Sequence, residues 1–283
     1  MVPLIRLTRP RQWLKNLLVL AVPTVSGSLG ETGVVGLAMV GLLVFVLLSS
    51  ATYCVNDVID APKDRKHQAK RLRPVANGEV RPGTALMLAG VLIAAAGVLC
   101  LWLPVEFALF AAAYLAWTIA YSLVLKRVVI VDLLGLGTGF VLRALAGAAV
   151  VEVTVSSWFI LTVAGGSLLL ASGKRLAELR AGGDTREVLH EYSESFLVQV
   201  TGLTAVVTLM AYALWALGGV RPTVTSSVAA ELTLVPLLYG TLRYLLLIAR
   251  GEGEAPEDLL TRDRGLVIAG IIFALLSVLA FYS

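Results

Sequence analysis

Apolar runs of about twenty residues follow one another along nearly the whole chain, each long enough to cross a bilayer as a helix. Within lipid every backbone polar group must be satisfied internally, so few folds can accommodate such a series of runs. The runs read as about nine helical spans, at roughly 13–29, 33–55, 83–103, 105–125, 131–150, 155–173, 193–218, 229–248 and 264–282. Composition agrees: charged residues make up 15% of the chain and apolar ones 58%, with a mean hydropathy of +0.87, whereas a soluble domain carries about 25% charge. The expected fold is an all-α, polytopic membrane bundle forming a single unit over 1–283. The first span is the weakest, being interrupted by Pro23 and flanked by Lys15 and Asn16.

Basic residues give the bundle an orientation. With the N-terminus in the cytoplasm, 20 of the 23 Lys and Arg fall on the inner side. Arg221 alone lies in an outer connection, and Arg143 and Arg243 lie inside spans. That asymmetry is the positive-inside pattern, and places the chain in the cell membrane with its N-terminus cytoplasmic. It also accounts for the net charge of +4 without nucleic acid as a partner. Cys54 and Cys100 both sit in apolar runs and suggest neither a disulfide nor a thiolate metal site. Arg6, Arg9, Arg11 and Lys15 before an apolar segment resemble a signal peptide, but no small-residue cleavage site ends it and further spans follow.

The outer connections are short, whereas two inner ones, 56–82 and 174–192, are long and ionisable. They follow the second and sixth spans, which hints at two related four-helix halves plus one further helix. Glycines such as Gly135, Gly137 and Gly139 permit close helix contact.

The first inner connection carries the strongest chemical signal. Asn56, Asp60 and Asp64 are spaced i, i+4, i+8 and stack on one side of a helix if the helix lasts that long. Pro62 is expected to end or kink it, leaving Asp64 just beyond. Oxygen ligands in such a row suit Mg²⁺, and Mg²⁺ suits a pyrophosphate, with Asp57 completing the platform. Arg65, Lys66, Lys70 and Arg73 follow at once and could hold further phosphate oxygens. His67 could titrate near neutrality or simply hydrogen-bond. A topology anchor would explain the bases, but not an amide and three acids at the end of a span.

Three further groups are less specific. Tyr121 and Ser122, with Lys126, Arg127 and Asp132, mark the inner ends of two consecutive spans. Tyr121 and Lys126 are expected at one cavity mouth, although Lys126 and Arg127 equally suit a topology anchor. Arg143, deep in the fifth span, is open between a structural ion pair and a substrate contact. Lys174, Arg175 and Glu178, followed by Asp184, Thr185, Arg186, His190 and Glu191, occupy in the second half the place the aspartates hold in the first. Lys174 and Arg175 are candidate phosphate ligands, with a Lys174–Glu178 helix-end ion pair as the plain alternative. Lys15 and Asn16 could reach the same site, or belong to an interfacial anchor around Trp13. The acidic stretch from Glu252 to Asp258 reads as a solvated connector.

The row Asn56, Asp60 and Asp64 after the second of nine helices, with Tyr121 before Lys126 and Arg127, resembles the UbiA-type prenyltransferase superfamily across essentially the whole chain. Most members carry a second Asp-rich sequence after the sixth helix for a prenyl diphosphate donor. This chain has Gly173-Lys174-Arg175-Leu176-Ala177-Glu178-Leu179 there. With Lys70-Arg71-Leu72-Arg73-Pro74 and Arg9-Pro10-Arg11-Gln12-Trp13-Leu14-Lys15-Asn16, this is similar to the decaprenyl-phosphate phosphoribosyltransferase branch of that superfamily. The resemblance implies an Mg²⁺-dependent transfer of 5-phosphoribose from phosphoribosyl pyrophosphate to a polyprenyl phosphate, releasing pyrophosphate, for cell-wall arabinan precursors. It further implies that Asp57, Asp60 and Asp64 serve catalysis, with Asn56, Asp60 and Asp64 holding the metal. Lys174 and Arg175, with Arg186 as a further candidate, would then meet the 5-phosphate or the acceptor phosphate. Two rivals are a prenyl diphosphate donor with an aromatic or tetrapyrrole acceptor, and a non-catalytic lipid-binding or transport protein. Self-association into a homo-oligomer is left open.

Overall fold

The computed structural model describes residues 3–66, 70–181, 187–218, 227–252 and 256–282. His67, Asp184, Thr185, Arg186 and Arg221 lie outside the described residues. The described chain is helical: α1 (Pro3–Leu7), α2 (Ala21–Val25), α3 (Val34–Asp64), α4 (Pro82–Cys100), α5 (Val105–Leu123), α6 (Val131–Val150), α7 (Ser157–Arg180), α8 (Glu194–Leu217), α9 (Ser227–Leu232), α10 (Leu234–Ala249), α11 (Pro256–Arg262) and α12 (Arg264–Tyr282). Eight helical segments among the described residues are long and apolar enough to cross a membrane, with α9 and α10 forming one of them. The protein is thus a multi-pass membrane protein.

The first of the nine expected spans is present in another form. Pro10–Leu20 is a 3₁₀ helix of 11 residues that runs into the short α2. At about 2.0 Å per residue such a stretch covers roughly 22 Å, so a segment short for an α-helical crossing reaches further than its length suggests. It packs on α3 and α6. The approach to α6 is close enough that a Cβ on Gly147 would collide with the Val19 carbonyl, which is why glycine stands there.

Sequence punctuation sets the helix ends. Gly33, at φ 89°, turns the chain into α3, and Pro82 opens α4 from the first turn, where its missing N–H costs nothing. Ser156 and Ser193 cap α7 and α8 by accepting from Phe159 N at 3.2 Å and Phe196 N at 3.1 Å. Two expectations are corrected here. Pro62 does not end its helix: α3 continues through Asp64, because the one hydrogen bond that Pro62 forfeits lies in the last turn, where helices fray anyway. The acidic stretch before α12 is not wholly a connector, since Pro256–Arg262 forms α11.

The apolar packing falls into two large halves, with smaller clusters around Leu7, Cys54 and Ala85 and around Ala230 and Phe281. Phe45, Phe107, Tyr114 and Val150 centre the first, which gathers α3 to α6 and the 3₁₀ segment. Leu169, Leu197, Tyr244 and Ile248 centre the second, made of α7, α8, α10 and α12. α6 and α7 pack together and join them.

Candidate active site

The 31 residues of α3 span about 46 Å, well beyond the roughly 30 Å of a hydrocarbon core, so the helix is longer than one crossing requires, and its polar residues gather in its last turns. Those turns carry Asn56, Asp57, Asp60 and Asp64, and three other parts of the chain bring cations to them. Arg9, from the N-terminal segment, pairs with buried Asp57. Lys126, from the turn between α5 and α6, meets Asp60 at 2.8 Å. Arg73, in the connection before α4, meets Asp64 at 2.6 Å and lies 3.8 Å from Asp57. That connection is itself tied down, Arg65 donating to the Ala76 carbonyl at 3.2 Å and Arg6 pairing with Glu79 at 2.8 Å. Lys66 is exposed and Lys70 half-buried on the same connection.

Asn56 differs from the acids. Its Oδ1 is buried and accepts no hydrogen bond, the sole such side-chain atom among the described residues. An orphaned carbonyl oxygen one turn from Asp60 fits a hard cation, since burying it unsatisfied is otherwise costly. No three His, Cys, Asp or Glu among the described residues lie close enough to form a metal site by themselves, because each aspartate here is drawn to a basic partner.

The second cluster lies beside the first but is built differently. Arg175 is fully buried, donating from Nε to Asp132 Oδ2 at 2.6 Å, from Nη2 to Asp132 Oδ1 at 3.0 Å and from Nη1 to Glu178 at 2.7 Å. The Tyr121 hydroxyl donates to Asp132 Oδ1 at 2.7 Å, and its ring packs over Gly135, where no Cβ would fit. Arg175, expected as a phosphate ligand, here has its guanidinium on two protein carboxylates while also lining the cavity described below. Glu178 pairs with Arg175 at 2.7 Å. Tyr121, expected to share a cavity mouth with Lys126, meets Asp132.

The turn joining the two clusters is strained. Ile130 sits at φ 68°, ψ −45°, with Val131 N donating to Val129 O at 2.8 Å, a γ-turn of the rare positive-φ kind on a β-branched residue. Ile130 N donates to the Tyr192 hydroxyl at 2.8 Å, and burial pushes that phenol's pKa up, keeping it neutral. The turn sends Lys126 to Asp60 on one side and Asp132 to Arg175 on the other.

A cavity of about 620 Å³ opens between the halves. Its wall is chiefly apolar, with Leu14, Phe140, Leu170, Leu237 and Phe273 among the lining residues, while Lys15, Lys174 and Arg175 bring charge to it. Sequence reasoning missed Arg9 and Asp132 as partners in these clusters. Arg9 was legible only as a topology anchor, and the role of Asp132 depends on α7 packing against α6.

A multi-pass helical bundle, with an acid-and-amide row at the end of α3 and an apolar cavity within it, defines the class. Residues 18–262 match the UbiA prenyltransferase family, and the chain belongs to it. Decaprenyl-phosphate phosphoribosyltransferase of Mycolicibacterium smegmatis is 37% identical over 94% of this chain and 88% of its own length. The protein of that name from Corynebacterium glutamicum is 33% identical over 99% of this chain and 86% of its own. Among solved structures, a UbiA homolog from Archaeoglobus fulgidus bound to GPP and Mg²⁺ matches with a TM-score of 0.76 at 19% identity, covering 98% of this chain and 97% of that one.

Proposed function

We propose that this protein transfers 5-phosphoribose from phosphoribosyl pyrophosphate to a polyprenyl phosphate at the cytoplasmic face of the cell membrane, releasing pyrophosphate. The observation that carries this reading is the Asn56–Asp64 row ringed by Arg9, Arg73 and Lys126, in a bundle that also holds an apolar cavity bordered by Lys15 and Lys174. Relatives that bear the corresponding name support it.

Asn56, Asp60 and Asp64 would hold Mg²⁺, which when bound neutralises charge on the pyrophosphate as it departs. Arg73 and Lys126 sit where they can leave their aspartates for phosphate oxygens once the metal takes those carboxylates. The Asp132–Arg175 pair fixes α6 against α7 and so holds Lys126 in reach of Asp60. An oxygen of the acceptor phosphate forms the new bond to the anomeric carbon as the bond from that carbon to pyrophosphate breaks. The acceptor oxygen is already anionic, so no general base is needed. The apolar cavity takes the lipid chain, and Lys15 and Lys174 the phosphate end.

The test is purified protein in detergent with Mg²⁺, offered radiolabelled phosphoribosyl pyrophosphate and a polyprenyl phosphate, with lipid products resolved. Label is expected in lipid, and Asp60→Asn and Asp64→Asn are each expected to reduce turnover at least roughly a hundredfold, as loss of a charge-stabilising group does. Label entering lipid only from a prenyl diphosphate, or intact turnover in both variants, would overturn the assignment.

A further inference from the structure

Arg143 lies 12 residues into α6, about 18 Å along the helix and at membrane depth, with 5% of its side chain exposed. It donates from Nε to Asn16 Oδ1, from Nη1 to the Gly139 carbonyl and from Nη2 to the Tyr114 hydroxyl, each at 2.8 Å. All three acceptors are neutral. The faces of Tyr114 and Phe140 lie 4.5 and 5.4 Å from the guanidinium. No carboxylate pairs with it among the described residues, although Arg175, buried as deeply on the next helix, takes two. A guanidinium has five N–H groups, so two remain unmet. A cation at this depth without an anion is costly, and neutral dipoles offset the cost only in part. Stapling the 3₁₀ segment to α6 does not call for a full charge.

The surroundings say what anion would meet it. Asn16 also donates to Ser49 of α3 at 3.0 Å. Ser49, Thr52, Asn56 and Asp60 recur every three or four residues, so they share one side of α3. Ser49 precedes Asn56 by seven residues, about 10 Å along the axis. Arg143 therefore stands at the deep end of a polar stripe whose outer end is the Asn56–Asp64 row. Phe140, beside the guanidinium, and Lys15, next to Asn16, both line the apolar cavity. A buried oxygen without a donor marks one end of the stripe, and a buried cation without an anion marks the other.

We infer that Arg143 is the counter-ion for a substrate phosphate other than the pyrophosphate. The separation along α3 suits a pentose carrying phosphates at both ends, which points to the donor's 5-phosphate; the acceptor's phosphate has the same chemistry. A prenyl diphosphate, apolar beyond its diphosphate, would leave this charge unmet. The inference rests on the transfer reaction above, and names what selects a donor with two phosphate groups.

Thermal protection of the purified protein in detergent tests this without turnover, using three probes: ribose 5-phosphate, farnesyl phosphate, and Mg²⁺ with inorganic pyrophosphate. The wild type is expected to be protected by all three. Arg143→Lys should weaken half-saturation by one phosphate monoester at least roughly tenfold and Arg143→Met should abolish it, while Mg²⁺-pyrophosphate protection persists. Loss for ribose 5-phosphate assigns Arg143 to the donor; loss for farnesyl phosphate assigns it to the acceptor. Unchanged half-saturation by both monoesters in Arg143→Lys, or no protection of the wild type by either, overturns the inference. Should Arg143→Met fail to fold, the lysine variant and the wild type still decide. If no label enters lipid from phosphoribosyl pyrophosphate yet monoester protection depends on Arg143, the transfer reading fails and the anion site stands.

Discussion

Asp132 and Arg175 face each other at zero exposure, and such a pair is strong in only one sense. Removing one partner strands a buried charge, so Asp132→Asn is expected to destabilise the protein by about 3–5 kcal/mol, read as a lowered melting temperature in detergent. Replacing both, as Asp132→Leu with Arg175→Met, should recover most of that loss, since the pair's Coulomb gain largely offsets its desolvation. A double variant as unstable as the single one would show that the pair contributes net stability. The contrast with Arg143 is instructive: two buried arginines on adjacent helices, one paired with carboxylates and one meeting only neutral groups. The paired one reads as architecture, and the other as a receiver of charge.

At the scale of elements, helix ends and turns carry the design. Asp263 caps α12 by accepting from Leu266 N at 3.0 Å and pairs with Arg243 of α10 at 2.8 Å. The Arg243 hydrogen bond, with help from the helix N–H groups, holds the Asp263 carboxyl at about 2, below its ordinary 3.8. A depressed carboxylate pKa contributes stability that is complete above the unfolded value and lost as pH falls through the folded one. Wild-type melting temperature should thus fall between about pH 4 and pH 2 more steeply than that of Asp263→Asn. Parallel curves for the two would count against the cap. The first span also belongs to this scale. Its apolar length alone suggested an α-helix, whereas its close approach to Gly147 and the pull of Asn16 toward Ser49 and Arg143 accompany a 3₁₀ form.

For the molecule as a whole, the distribution of Lys and Arg predicts that the Asn56–Asp64 row faces the cytoplasm, and this orientation can be checked directly. In a variant with Cys54 and Cys100 replaced, a cysteine at Asn77 should resist a membrane-impermeant thiol reagent added to intact cells. One at Thr154, exposed in the connection between α6 and α7, should react. The reverse pattern would invert the topology and move the site to the other face.

Much of the protein was legible in its residues, and the reason is physical. Lipid allows so few solutions for the backbone that apolar runs specify spans directly, and charge asymmetry then orients them. The row Asn56, Asp60 and Asp64 was equally legible because helical spacing alone puts it on one face. Sequence by itself thus determined the class of fold and the acidic row. Pairing between distant helices has no such local signature. Whether Arg175 meets a phosphate or Asp132, whether Arg143 finds an acid, and which cation reaches Asp60 depend on separations of a few ångströms between residues 43 to 127 positions apart. Only the tertiary structure decided those, because a buried charge takes its meaning from what packing brings beside it.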